Sequence, residues 1–423
     1  MNRAGAGSGG RLRRYGGIVR RSMLAVIGLL VIGLGLGVGV RAEGTHLANV
    51  SVDGAVPQRV IDAIVGAVRD ALAGHDIPGL MVGFRVGDAD GAILCFGASD
   101  LDVGTPLAPT DSFYVGSTTK MLTATAVLQC VERGAVELDA PISAYLEGCP
   151  DAWSGVTVRH LLTHTSGIPS YIRTDEGQAL RWIPGPVAFE TVVDILRGQS
   201  MDSDPGRRWN YTNSNFYLLG HLVESVAGVP YATYLDEHLL APLGLEETGY
   251  DPVRCPEDLV TAYHRNDAPD AEFEVYPSPN LSLVHGAGGV HTTMDDLLAW
   301  LDGWSSGRLL SAESLTLMTS PEHLATSLPL ADRYGYGCMI WREESSGLPL
   351  RVGHFGQIHG HLCLAFCIPE EHVAIVLYSN SYDLMRVLTS TQIPWPNRPP
   401  PPPPLHERLA EIVLDFASGL GRL

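Results

Sequence analysis

Two uninterrupted apolar runs late in the chain, His361–Ile368 and Val373–Tyr378, limit most what it can fold into. Each has strand length, and Pro369-Glu370-Glu371 between them leaves room only for a tight connection, so the pair reads as a hairpin. A similar signal lies far upstream, where Leu80–Val86 and Ala92–Phe96 read as strands joined across Asp90-Gly91. Before it, Val60, Ile61, Ile64, Val65, Val68 and Leu72 recur at helical spacing, and Gly74 ends the pattern. From about Ser117 to Gly244 the pattern is mostly helical, with loops rich in Pro, Gly, Ser and Asp. Strands at both ends with helices between them predict a mixed α/β (α+β) fold. One sheet is assembled from distant pieces, and a helical subdomain is inserted between them.

Both termini carry separate features. Residues 1–42 hold seven arginines and no acid, although the whole chain has a formal net charge of −19. Arg11, Arg13, Arg14, Arg20 and Arg21 precede an uncharged run from Met23 to Val40, and Val40-Arg41-Ala42 follows. This is the order of a basic region, an apolar region and a small-residue cleavage site. Arg20-Arg21 also resembles a twin-arginine export signal. Residues 1–42 therefore read as a signal peptide or an N-terminal membrane anchor, and either would place the rest outside the cytoplasm. At the other end, Pro399–Pro404 reads as a stiff spacer. A last amphipathic helix over 405–423 follows it, with Leu405, Leu409, Ile412, Val413 and Phe416 on one face. An acidic body gives no support to a nucleic-acid partner.

Lys120 is the sole lysine; the other 27 of the 28 basic residues are arginine. Where only positive charge is needed, arginine serves, but it cannot lose its proton at accessible pH. A desolvated lysine can, and becomes a neutral base. Lys120 follows Ser117 in Gly116-Ser117-Thr118-Thr119-Lys120, a stretch that opens a helix with Met121, Leu122, Leu128 and Val131 on its apolar side. On a helix, positions i and i+3 share a face, so hydroxyl and amine point the same way, and the helix N-terminus favours negative charge on an attacking oxygen. An N-capping serine and a surface lysine would explain the same residues without chemistry. The absence of lysine everywhere else strains that account.

With further stretches in order, the chain resembles the serine β-lactamase and DD-peptidase superfamily, in the branch of class C β-lactamases, DD-carboxypeptidases and related esterases. The resemblance runs from about Pro57 to Asn380. It rests on Ile77-Pro78-Gly79-Leu80, the S-x-x-K stretch, His160-Leu161-Leu162-Thr163-His164-Thr165-Ser166-Gly167, Asn210-Tyr211-Thr212-Asn213, Gly286-Ala287-Gly288-Gly289, Tyr334-Gly335-Tyr336-Gly337 and Gly353-His354-Phe355-Gly356. It implies an antiparallel sheet flanked by helices, built from 57–115 and 285–398, with a helical subdomain at 116–284 and the site between them. It also implies Ser117 as nucleophile, Lys120 as its base, Tyr211 as a proton relay and Asn213 as a holder of the substrate's amide. His354 stands at the third motif, where it would supply a proton or positive charge, and Gly356 lets substrate approach the strand. The oxyanion hole would be the backbone N–H groups of Ser117 and Gln357. No cofactor and no metal are implied.

Two departures bear on substrate. Carboxypeptidases of this group often carry threonine where Phe355 stands, and an arginine nearby for the terminal carboxylate. Here the segment after Tyr334-Gly335-Tyr336-Gly337 offers Met339, with Arg342 the closest candidate. The resemblance thus implies a small-molecule or peptide substrate, with DD-carboxypeptidase-like action on D-Ala-D-Ala peptides first. An esterase or amidase is the alternative, and a non-catalytic binder or sensor the last.

Other signals have simpler accounts. Gly303-Trp304-Ser305-Ser306-Gly307 matches a nucleophile elbow, but it follows a helix, Met294–Leu301, and reads as a helix-ending turn. His354, His359, His361, Cys363 and Cys367 cluster in sequence without a zinc spacing, and read as strand, turn and strand. His160 and His164 read as loop buttresses. The seven cysteines form no disulfide framework and read as small buried hydrophobes, with at most one pair bridged.

Overall fold

In the computed structural model the two late apolar runs are neighbouring antiparallel strands, His361–Ile368 and Val373–Ser379, joined by a single turn at Pro369–Glu371. The structure describes residues 46–420 apart from 253, 257, 266–270, 279, 321–322, 325–330, 343–346 and 390–402. The basic and apolar segment 1–42 and Pro399–Pro402 lie outside the described residues. Every residue of the two strands is buried. Alternate side chains enter different cores: Cys363, Ala365 and Cys367 one, Leu362, Leu364, Phe366 and Ile368 the other. Both faces of the sheet are covered, which is why the runs are apolar without alternation.

The sheet runs, in spatial order, Leu47–Asp53, Asp90–Asp100, Gly79–Val86, Val373–Ser379, His361–Ile368, Arg351–Ile358 and Met339–Trp341, with short pieces at Arg333–Tyr334 and His323–Leu324 beyond. All these pairings are antiparallel. The pieces from opposite ends of the sequence meet where Gly79–Val86 pairs with Val373–Ser379. On one face lie the helices Gln58–Leu72 and Leu405–Gly419; Phe416 meets Phe84 edge-on with ring centroids 6.2 Å apart. On the other face lies Met294–Ser305, which carries the buried Trp300 and Trp304 and ends within Gly303-Trp304-Ser305-Ser306-Gly307. The helices of 119–235 join that same core.

Two local expectations are corrected, and one strand has no expectation attached to it. The first hairpin does not turn at Asp90-Gly91: Val86 pairs with Asp90, and the turn is Gly87–Ala89. Asp90 instead accepts a hydrogen bond from the Ala55 N–H at 2.9 Å. Gly91 is needed for cross-strand closeness, since a Cβ there would lie 2.5 Å from the Phe84 carbonyl oxygen. The edge strand Leu47–Asp53 has no sequence signal, because its mixed exposure leaves no clean alternation. The helix Thr119–Glu132 is not amphipathic in place: every residue from Thr119 to Cys130 is buried. Its threonines bond inward, Thr123 to the Gly286 carbonyl at 2.6 Å and Thr125 to the Met121 carbonyl at 2.8 Å.

Candidate active site

Ser117 sits in the turn Gly116–Thr118 that leads into Thr119–Glu132. The turn lies flush against Arg351–Ile358 because two glycines permit it. Gly116 has φ 54°, and a Cβ there would lie 2.7 Å from the Gln357 nitrogen; a Cβ on Gly356 would lie 2.8 Å from the Ser117 nitrogen. The close contact sets the Ser117 turn and the strand at Gln357 side by side, which the expected oxyanion hole of their two backbone N–H groups needs.

Lys120, 0% exposed, has three neighbours for its amine: Ser117 Oγ at 3.0 Å, Asn213 Oδ1 at 2.8 Å and the Ala287 carbonyl oxygen at 2.6 Å. Among the described residues no carboxylate pairs with it, and burial holds it well below the usual lysine range. A neutral amine has two N–H donors and one lone pair. The donors suit the two carbonyl-type oxygens, and the lone pair is left for the Ser117 hydroxyl proton. Asn213 opens the helix Asn213–Ala227, whose N-cap Thr212 accepts from the Ser214 N–H at 3.2 Å.

Tyr211 stands one residue before that cap, its ring centroid 5.0 Å from Lys120 Nζ. Burial pushes its phenol up, and a hydrogen bond with Ser117 pulls the other way. His354 lies behind Tyr211, with ring centroids 6.1 Å apart, and is 0% exposed. Its Nδ1 is 2.6 Å from the Phe355 carbonyl oxygen and its Nε2 3.1 Å from the Tyr334 hydroxyl. Burial pushes its pKa down to about 3. The expectation that His354 supplies a proton or positive charge is therefore corrected. It is neutral, Nδ1–H donates to the carbonyl, and Nε2 accepts from Tyr334. It acts as a positioning residue.

Ser117, Lys120, Tyr211, Asn213, Gly356 and Gln357 thus converge, with His354 one layer back. The Ala287 carbonyl was not anticipated, although Gly286-Ala287-Gly288-Gly289 flagged its loop. His160 caps the helix Val158–Leu162, its Nδ1 accepting from the Thr157 N–H at 3.2 Å. His164 lies under Tyr211 at 4.4 Å, with Asn215 Nδ2 3.1 Å from its Nδ1. Of the late His and Cys residues, His361 pairs with the Tyr378 hydroxyl at 2.8 Å and Cys367 points to the Val352 carbonyl. All seven cysteines are free.

A family model described as "Beta-lactamase" matches residues 64–390. The chain belongs to the beta-lactamase family. A Bacillus subtilis (strain 168) protein, PbpX, provisionally named a penicillin-binding protein, is 28% identical over 279 residues, covering 64% of this chain and 63% of that one. This chain therefore spans less than two thirds of that relative's length. A D-stereospecific amidohydrolase from Streptomyces sp. superposes with a TM-score of 0.67 at 29% identity, covering 77% of this chain and 96% of that one. The D-amino acid amidase from Ochrobactrum anthropi SV3 gives 0.71 at 23%, covering 86% and 100%, a likeness of fold.

In this beta-lactamase-family site a cavity of about 110 Å³ opens beside Ser117, bounded by Asn213, Gln357, His359, Leu283 and Arg181 among others. A larger cavity of about 420 Å³ around Arg173 and Glu176 touches none of the motif residues. Phe355 is 9% exposed and packs into the core under Gln58–Leu72 and Leu405–Gly419. Arg342 is exposed and outside the lining of the Ser117 cavity.

Proposed function

We propose that this protein is an exported serine hydrolase that forms an acyl-enzyme on Ser117 and cleaves amides or esters with an uncharged leaving group. The observation that carries this reading is Lys120: buried, without a carboxylate partner among the described residues, and 3.0 Å from Ser117 Oγ. Neutral Lys120 takes the hydroxyl proton as Ser117 Oγ attacks the carbonyl carbon, and the Ser117 and Gln357 N–H groups hold the oxyanion. Collapse expels the leaving group, which takes its proton from Tyr211, and Lys120 restores that proton. Water then attacks the acyl carbonyl carbon, its proton passing to Tyr211 and Lys120; as the tetrahedral intermediate collapses, the acid leaves and Lys120 returns the proton to Ser117 Oγ.

The leaving side supports a neutral group, because His354, behind Tyr211, is a buried imidazole whose pKa is pushed down to about 3. A second reading, DD-carboxypeptidase-like action on D-Ala-D-Ala peptides, is favoured by the likeness to PbpX. The deciding experiment compares ammonia release from D-amino-acid amides with D-Ala release from a D-Ala-D-Ala peptide, wild type beside Ser117→Ala. Faster ammonia release, absent in the variant, supports the first reading. Faster D-Ala release replaces it with the second, and turnover surviving in Ser117→Ala sinks both. Intact mass after penicillin treatment adds a check on the nucleophile, with an adduct expected on wild type only. Export rests on the basic and apolar pattern of 1–42. N-terminal sequencing after cell fractionation tests it, and a chain confined to the cytosol would refute it.

A further inference from the structure

Ser117 divides the site into two halves. Lys120, Tyr211 and His354 lie on one side of it, and none of them lines the adjoining cavity. That cavity follows the end of Arg351–Ile358 past Gln357 to His359. A leaving group protonated by Tyr211 must sit on the Tyr211 side, so the cavity receives the acyl half of the substrate.

The cavity has an unusual charge for this molecule. The chain carries −19 overall, yet the lining holds no carboxylate and one guanidinium, that of Arg181. Arg181 caps the C-terminal end of Asp175–Leu180 and is half-buried. Its Nη1 donates to Gln178 Oε1 at 3.1 Å, and its guanidinium lies 5.6 Å from the Trp182 ring centroid. Among the described residues no carboxylate pairs with it. A guanidinium has five N–H donors in a fork suited to a carboxylate, so most of them remain free.

His359 stands beside it, 6% exposed, with Nδ1 buried and unpartnered. Burial first, then Arg181, pushes its pKa down to about 3, so it is a neutral ring with an N–H to give. Apolar Ile172, Leu283, Val284 and Ile358 share the rest of the lining with polar Asn213, Asn280 and Tyr382.

We propose that Arg181 and His359 form a subsite for a carboxylate carried by the acyl half of the substrate, joined to the scissile carbonyl by a short linker. This rests on the acyl-enzyme reading above and narrows its substrate to acyl groups with a second, distal acid. The carboxylate lies across Ser117 from the leaving group, away from Arg342.

The test uses the full chain and matched 4-nitrophenyl esters: the half-esters of glutaric and adipic acid, and the same esters with the free acid replaced by a primary amide. The readout is the ratio of kcat/KM for acid over amide, after subtraction of spontaneous hydrolysis. Because both substrates meet the same enzyme sample, loss of folded protein cancels. Wild type should prefer the acid, and Arg181→Gln should lower the ratio by about 10- to 100-fold, the size of a charge-assisted hydrogen-bonded contact. Arg181→Lys should recover part of it, and Arg342→Gln should leave it in place. A ratio unmoved by Arg181→Gln, or lowered by Arg342→Gln instead, overturns the subsite while Ser117-dependent turnover keeps the hydrolase reading. Absence of Ser117-dependent turnover on every ester removes both.

Discussion

At the residue scale, the site depends on one amine being neutral at the right moment. Lys120→Arg keeps positive charge but cannot deprotonate, so kcat should fall by about 10³-fold, within the usual range for a lost general base. Substantial activity in that variant would remove the assignment. The acid limb of kcat/KM against pH should lie well below the ordinary lysine range, because burial disfavours the ammonium form. A limb near 10.5, the usual value, would mean that Lys120 is solvated in the working enzyme. Gly356 acts through what it lacks. Gly356→Ala would push the strand off the Ser117 nitrogen and spoil the oxyanion donors, at a cost of about 10²–10³ in kcat. Burst labelling of Ser117 by a reactive phosphonate separates that loss from misfolding.

At the element scale, the terminal helix Leu405–Gly419 closes one face of the sheet and is a structural part of the hydrolase unit. Phe416 and Leu409 are buried in it, whereas Ile412 is half-buried. Phe416→Ala should cost about 3–5 kcal/mol, by analogy with other large core truncations. Ile412→Ala should cost clearly less, since it leaves a smaller cavity and partly exposed surface. Urea unfolding of both variants checks the order, and equal losses would mean that the helix is not seated as described. The nucleophile-bearing helix Thr119–Glu132 works the other way. Its burial on all sides makes it a rigid axle on which Ser117 and Lys120 keep their spacing.

At the scale of the whole molecule, buried neutral imidazoles link stability to pH. His354, His359 and His361 are pushed from 6.5 down to about 3 by burial, and His285 and His406 to about 4. Between these values and 6.5 the unfolded chain binds more protons than the folded one, so stability rises with pH across that window. It is fully present above 6.5 and is lost as pH falls toward about 3. Glu224, held far below its usual range by His221 and His285 against the cost of burial, adds in the same direction below its ordinary 4.5. The urea midpoint should therefore drop steadily from pH 7 to pH 5. Each buried histidine adds up to about 1.4 kcal/mol per pH unit, and a flat midpoint over that range would contradict the burial of these rings.

The sequence by itself pointed to Ser117 and Lys120 as a pair, because that pairing depends on residue type and short spacing, whereas the roles of Tyr211 and Asn213 came only from the resemblance. A lone lysine on the same helical face as a serine can be read without coordinates. It also determined the late hairpin, since only strands covered on both faces tolerate such runs of apolar residues. The tertiary structure decided the rest, because it depends on what distant segments do to one another. Thr123 of Thr119–Glu132 looks like part of an outer face until Gly286 arrives to accept its bond. The turn of the first hairpin moved because Asp90 is recruited by Ala55, and the edge strand Leu47–Asp53 is a strand only because Asp90–Asp100 offers it a ladder. His354 looked like a proton donor as a motif, but its complete burial, which only the tertiary structure creates, opposes its positive charge. Arg181 belongs to no motif at all. It becomes a candidate contact for substrate only where Asp175–Leu180 ends beside His359, and no periodicity in the chain encodes that meeting.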